Sequence, residues 1–172
     1  MTSDVRYYGI DANEIAPGLW MGSAPPRGRA LSRAGFYVLT LTAIEHQPSA
    51  EHFPGVLVAR AALIDDGTAI TSSQWEEVLS LSGHLARATR HGKCVLVTCA
   101  QGRNRSGLVT ALTLARMTGC DGRAATRVVQ ERRRSPFGPA LTNIEYCKAL
   151  RGIPAALHRG PVTSRVAKAS GF

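Results

Sequence analysis

The sequence predicts an α/β domain: a single unit with a central, mostly parallel sheet of about four or five strands flanked by helices. Three observations lead there. Apolar, partly β-branched runs stand at residues 36–42, 56–64 and 95–98, the composition of strands buried on both faces. Stretches with helical spacing follow them at residues 73–90, 105–117 and 123–133. The run that ends at Thr98 passes through a short loop containing Gly102 straight into a helical stretch. In α/β sheets that junction, at the C-terminal end of a strand, is where sites are built.

A chain of 172 residues suits one domain with a sizeable core. No apolar run approaches the roughly 20 residues of a membrane span, so no membrane insertion is expected. Residues 1–8 lack the apolar segment of a signal peptide. A cytoplasmic location is therefore expected. The four cysteines (Cys94, Cys99, Cys120, Cys147) show no paired spacing, and a cytosolic protein rarely keeps disulfides. The five histidines are scattered and no metal-ligand spacing occurs, so neither a metal nor a cofactor is expected. The net charge of +9 could attract acidic partners. It is spread along the chain, however, and a solvated basic surface accounts for it, with Arg132-Arg133-Arg134 as the main cluster.

Taken in order, residues 1–13 are polar and aromatic without clear periodicity and read as a loosely docked arm. Pro17-Gly18 marks a turn ahead of a short strand at Leu19-Trp20-Met21. Residues 30–34 form a helical turn stopped by Gly35, and Phe36 to Thr42 is a central strand. Residues 43–54 are polar with two prolines, hence a loop, and Val56 to Ile64 resumes an extended run. It leads into Asp65-Asp66-Gly67. Ser73 with Glu76 fits a capping box for a helix that runs to about Arg90, with Trp75, Val78, Leu79, Ser82 and Leu85 on one face. After the strand at Cys94 to Thr98 come a helix from Arg105 and another from about Arg123, the latter with Ala124, Ala125, Val128 and Val129 inward. A final short helix covers Asn143 to Leu150. Residues 151–172 are basic, without helical period, and read as a flexible tail.

The residues that carry chemistry cluster after Thr98. Cys99 lies at the mouth of a strand–loop–helix, where loop N–H groups converge and the helix dipole favours negative charge. The thiolate is the nucleophilic form of cysteine. Five residues intervene before Arg105, whose planar fork can grip two oxygens of one phosphate, and Ser106-Gly107 opens the helix. A buried strand cysteine followed by a surface arginine is the plainer account, but strand, Gly102, Arg105-Ser106-Gly107 and helix together favour an anion site. Cys94 is read as an ordinary strand cysteine.

This arrangement, Cys99-Ala100-Gln101-Gly102-Arg103-Asn104-Arg105-Ser106, resembles the cysteine-dependent protein-tyrosine phosphatase superfamily, and its dual-specificity branch in particular. The likeness extends over residues 14–150, including the turn, aromatic and Gly-Ser of Pro17 to Ser23. The resemblance implies a phosphatase that hydrolyses phosphate monoesters on proteins, phosphotyrosine foremost and phosphoserine or phosphothreonine beside it, through a cysteinyl-phosphate intermediate. Cys99 would be the nucleophile. Arg105 and the N–H groups of Ala100, Gln101, Gly102, Arg103, Asn104 and Arg105 would hold the phosphate. Ser106 would assist the departing sulfur. The resemblance also implies a general acid on an acidic loop after a strand, and Asp66, 33 residues before Cys99, is chosen with Asp65 as the alternative. An Asp-Asp-Gly turn is the plainer reading of that pair.

Two positions stand apart. Thr98 occupies the place where most members carry histidine; it keeps a hydrogen-bond donor there, and a working enzyme is still implied. Asn104 before Arg105 is similar to the loops of RNA 5′-triphosphatases, which makes an RNA end the second substrate class. Phosphoinositides come third, because this loop has no lysine. A phosphate-binding module without turnover is the non-enzymatic alternative.

Overall fold

In the computed structural model, residues 5–155 are described. A five-stranded sheet has the order β1-β2-β5-β3-β4, with β1 at Ala12–Ala16, β2 at Leu19–Gly22, β3 at Val38–Ala43, β4 at Leu57–Leu63 and β5 at Val95–Thr98. β1 and β2 form an antiparallel hairpin through Pro17-Gly18, and all other pairings are parallel. The helices are α1 (Ala30–Arg33), α2 (Ser72–Arg90), α3 (Arg105–Thr118), α4 (Gly122–Arg132) and α5 (Ile144–Arg151). The expected α/β class with a mostly parallel sheet is the observed one.

Strand alternation sorts the core onto two faces. Leu19, Met21, Val38, Val95 and Val97 pack with Val78, Leu85, Leu108, Leu112, Val129 and Tyr146 from the four longer helices. Trp20, Leu39, Leu41 and Leu96 point the other way, onto Leu31, Phe36 and Phe53. β5 lies inside the sheet between β2 and β3, so its C-terminal end opens at the middle of one sheet edge. α3 runs directly from that end, and every residue from Arg105 to Ala115 is buried. Gly107 makes the close approach possible: a Cβ there would sit 2.8 Å from Leu141 Cγ.

Two local expectations are corrected. Residues 5–13 are not a loose arm: Val5 and Ile10 are buried against Leu31, Phe36 and Phe53, and the first strand begins at Ala12. The helix cap expected at Ser73 with Glu76 is instead Thr71 with Gln74, which exchange the reciprocal bonds of a capping box. Gln74 also donates from Nε2 to the Ala62 carbonyl, a contact to β4 that favours the earlier start. No helix among the described residues is long and apolar enough to cross a membrane. Of the basic tail, residues 156–172 lie outside the described residues, while Ile153 is buried and its carbonyl accepts from the Gly122 N–H.

Candidate active site

The loop from Cys99 to Asn104 is held from outside by its carbonyls. Ala100 O accepts from the Ala24 N–H at 3.4 Å and Arg103 O from the Leu141 N–H at 3.3 Å. Gln101 O accepts from Ser135 Oγ at 3.1 Å, and Gly102 O from Arg133 Nε at 3.0 Å. In a planar trans peptide the carbonyl of one residue opposes the N–H of the next. Drawing these four carbonyls outward therefore turns the N–H groups of Gln101, Gly102, Arg103 and Asn104 toward the loop's interior. Gly102 adopts φ +63°, in the left-handed region, and a Cβ on it would lie 2.6 Å from both Arg133 Nη2 and the Ser23 nitrogen. Asn104 occupies the N-cap position of α3, yet its side chain caps nothing. The helix N-terminus keeps its positive end uncapped by a side chain.

Cys99 is 4 % exposed at this N-terminus. Its Sγ lies 3.3 Å from Ser106 Oγ, the hydroxyl of a fully buried serine. Thr98 faces elsewhere: its hydroxyl donates to the Thr40 carbonyl at 3.0 Å, and its own carbonyl accepts from Thr42 Oγ1 at 2.7 Å. The position before Cys99 thus braces the sheet rather than the loop.

Arg105 is buried, and both carboxylate oxygens of Glu45 meet its Nη1. Its Nε is buried and has no hydrogen-bond partner among the described residues. Burial disfavours the guanidinium charge, but the bonds to Glu45 and the negative charges of Cys99, Glu45 and Asp65 outweigh it and raise the Arg105 pKa. The same contact holds the Glu45 carboxyl below its ordinary value. With Nη1 taken by Glu45, the Nε edge of the fork is the part left for an anion.

The two aspartates are placed differently. Asp65 accepts from Asn104 Nδ2 at 3.0 Å and from Asn143 Nδ2 at 2.8 Å. Asp66 is fully exposed, and its Oδ1 accepts from the Thr68 N–H at 2.9 Å and hydroxyl at 2.6 Å, which lowers its pKa. The structure therefore brings Asp65, not Asp66, into contact with the Cys99–Arg105 loop. Arg103, of the same loop, donates to Pro139 O and Thr142 Oγ1 at its outer side.

Sequence reasoning did not single out Glu45, Arg133, Asp11 or Asn143 as site residues. Arg133 is buried in full, and it reaches Gly102, Asn13 and both oxygens of Asp11 at once. No group of acidic, histidine or cysteine side chains that could hold a metal occurs among the described residues.

No family model matches the chain. Human dual specificity phosphatase 28 is 30 % identical over 158 residues, spanning 86 % of this chain and 87 % of the relative. Among solved structures, a mouse putative dual specificity phosphatase complexed with zinc tungstate superposes with a TM-score of 0.65 at 27 % identity, covering 81 % of this chain and 86 % of that one. Human DUSP28 gives 0.64 at 26 %, over 81 % of this chain and 94 % of its own. Tk-PTP in its active form shares the fold at 24 % identity, with a TM-score of 0.64 over 82 % of this chain and 96 % of that one. With the strand–loop–helix, the buried cysteine and the arginine fork in place, the chain belongs to the dual-specificity phosphatases and is a cysteine-dependent phosphatase.

Proposed function

We propose that this phosphatase acts on phosphorylated proteins, on phosphotyrosine foremost and on phosphoserine or phosphothreonine as well, through a cysteinyl-phosphate intermediate. The observation that carries the reading is Arg105 Nε, a buried cationic donor without a partner beside Cys99. Leaving such a donor unsatisfied is costly, and a phosphate oxygen satisfies it. The inward N–H groups of residues 101–104 then take the remaining oxygens as charge shifts during transfer.

In the first half-reaction the Cys99 thiolate attacks phosphorus in line. The S–P bond forms, the ester P–O bond breaks, and Asp66 gives its proton to the leaving oxygen. In the second, Asp66 takes a proton from water as the water oxygen attacks phosphorus; the S–P bond breaks and inorganic phosphate leaves. Ser106, 3.3 Å from the sulfur, donates to the departing thiolate. Asp66 is preferred as the acid because its contacts lie within its own turn, to Thr68. A change of loop torsion frees it, and a phosphate dianion at Cys99 favours its protonated form. Ile44, Ile64, Phe137 and Ile144 are exposed on segments that adjoin Glu45, Asp65, Ser135 and Asn143, an apolar surround suited to an aryl phosphate. Asn104, the residue behind an RNA-end reading, is engaged with Asp65, Thr142 and Asn143 rather than left for a triphosphate chain.

The test compares turnover on a phosphotyrosine peptide, a phosphoserine peptide, triphosphate-ended RNA and an inositol phosphate. The highest kcat/KM is expected on the phosphotyrosine peptide, with none for Cys99→Ser. Absence of turnover on any of the four, with Cys99→Ser binding phosphopeptide as tightly as wild type, would mean a binding module.

A further inference from the structure

We infer that the groove between α5 and the segment from Asp65 to Trp75 seats the polypeptide of the substrate, and that an apolar side chain some way along that polypeptide anchors at its far end. This deepens the proposed action on phosphorylated proteins and rests on that reading. Two hollows of about 480 and 430 Å³ adjoin here and share Glu145 and Lys148. The first borders Asp65 and Asn104, the residue before Arg105, so it opens beside the Cys99–Arg105 loop. The second ends on Ile70, Trp75 and Ile153. Both walls leave the site in the same direction. One runs from Asp65 through Ile70 to Trp75, and the other is α5, from its cap at Asn143 toward Ile153. The Asn143 amide donates to Asp65 at 2.8 Å and joins the two walls at the near end.

Glu145, Lys148, Ala149 and Gly152 stand at i, i+3, i+4 and i+7, which is one face of a helix. That face floors the second hollow, and two of its four residues are small enough to leave room for a guest side chain. Trp75 is half-buried, packed against the core while it also lines the hollow. The Lys148 Nζ–Glu145 Oε1 pair, 2.7 Å long, sits where the hollows meet, with the Lys148 side chain 59 % exposed. A surface pair of this kind contributes little, and the ammonium keeps further donors for a backbone carbonyl of a passing chain. A phosphorylated residue held at Cys99 must lead its own polypeptide away from the site, and this groove begins at the site's edge. From Asn143 to Gly152 α5 rises about 14 Å, which an extended chain covers in about four residues. Allowing one or two more for the step out of the Cys99–Arg105 loop, the apolar end lies about four to six residues from the phosphorylated one.

The test is a set of phosphotyrosine peptides of serine and glycine in which one leucine is moved along both sides of the phosphotyrosine. The readout is kcat/KM for each peptide divided by kcat/KM for the peptide without leucine, a ratio from which the chemical step cancels. On one side, at about four to six residues, the ratio is expected to reach about ten, the worth of burying part of a leucine. Ala149→Arg on the floor and Ala69→Arg on the facing wall should each bring that ratio back to about one by filling the hollow. Turnover of all peptides with no rise at that distance would overturn the groove and leave the phosphatase reading intact. So would a rise that persists in both arginine variants, since the leucine would then bind elsewhere. A wild-type dimer in sedimentation that Ala149→Arg turns into a monomer would make a second copy of the chain the occupant and overturn the inference. Absence of turnover on every peptide, with phenyl phosphate still hydrolysed, would overturn the protein-substrate reading and the groove with it.

Discussion

Replacing Arg133 by methionine tests whether the loop is shaped from behind. The Arg133 side chain is 0 % exposed, and its Nη2 lies 2.6 Å from Asp11 Oδ2. Nη1 donates to Asp11 Oδ1 at 3.0 Å and to Asn13 Oδ1 at 2.8 Å, while Nε holds the Gly102 carbonyl. Breaking a buried pair by removing one partner costs about 3–5 kcal/mol. Asp11 is 34 % exposed, so water reaches the abandoned carboxylate and the lower end, about 3 kcal/mol, is expected. For a chain of this size that lowers Tm by about 6–12 °C. Burial pushes the Asp11 carboxyl up, but the hydrogen bonds and charge of Arg133 outweigh it, and the net pKa lies below the ordinary 3.8. A depressed folded pKa contributes stability above the unfolded value, lost as pH falls through the folded one. Wild type should therefore lose this contribution below about pH 4, and Arg133→Met should show no such component. Activity should fall as well, because Gly102 O is released and the N–H of Arg103 is no longer turned inward. The assay is thermal unfolding between pH 2.5 and 7 beside kcat/KM on an aryl phosphate. A Tm change under about 2 °C, or unchanged kcat/KM in a folded variant, would refute the reasoning.

Three further outcomes are expected. Glu45→Ala should lower kcat/KM on an aryl phosphate about tenfold, since the Arg105 fork loses the carboxylate that holds it edge-on; a rise would mean that Glu45 competes with phosphate. Gly102→Ala should abolish measurable phosphate binding by calorimetry, because alanine meets both an unfavourable φ of +63° and the Arg133 guanidinium. Ser106→Ala should leave the initial burst of phenol release in place and slow the steady state, as the thiolate departs unassisted; equal slowing of both phases would place Ser106 in loop structure alone.

Much of the fold was legible because it rests on local pattern. The β-branched runs became β3, β4 and β5, and Gly35 follows the first helical turn where expected, with φ +90°. The missed strand β1 has only five residues, two of them polar, and it forms because β2 offers an edge. The cap at Thr71 was ambiguous because Thr71-x-x-Gln74 and Ser73-x-x-Glu76 both carry the capping-box pattern. Within the site, Cys99, Arg105 and Ser106 stood out through the strand–loop–helix pattern around them and the family resemblance that it carries. Arg133 was not, since a run of three arginines ordinarily marks a solvated helix end, and the partner that buries it, Asp11, is 122 residues away. Nor was Glu45, from a loop 60 residues before Arg105.

These distant partners share one physical task. A phosphate loop must present N–H groups and an arginine fork before the ligand arrives, or part of the binding free energy goes to ordering it. Backbone alone does not hold that shape, because inward N–H groups repel one another and nothing within the loop satisfies its carbonyls. Here Ala24, Arg133, Ser135 and Leu141 satisfy them from four different segments, and Glu45 fixes the fork. Asn104 links the same loop to the Asp65-Asp66 segment through Asp65. Cys99, the Arg105 fork and the Asp65-Asp66 loop are therefore organised by one set of contacts, drawn mostly from segments outside the Cys99–Arg105 loop. Substitutions in that outer set should change stability and kcat together, whereas Cys99→Ser should remove turnover and leave Tm nearly unchanged.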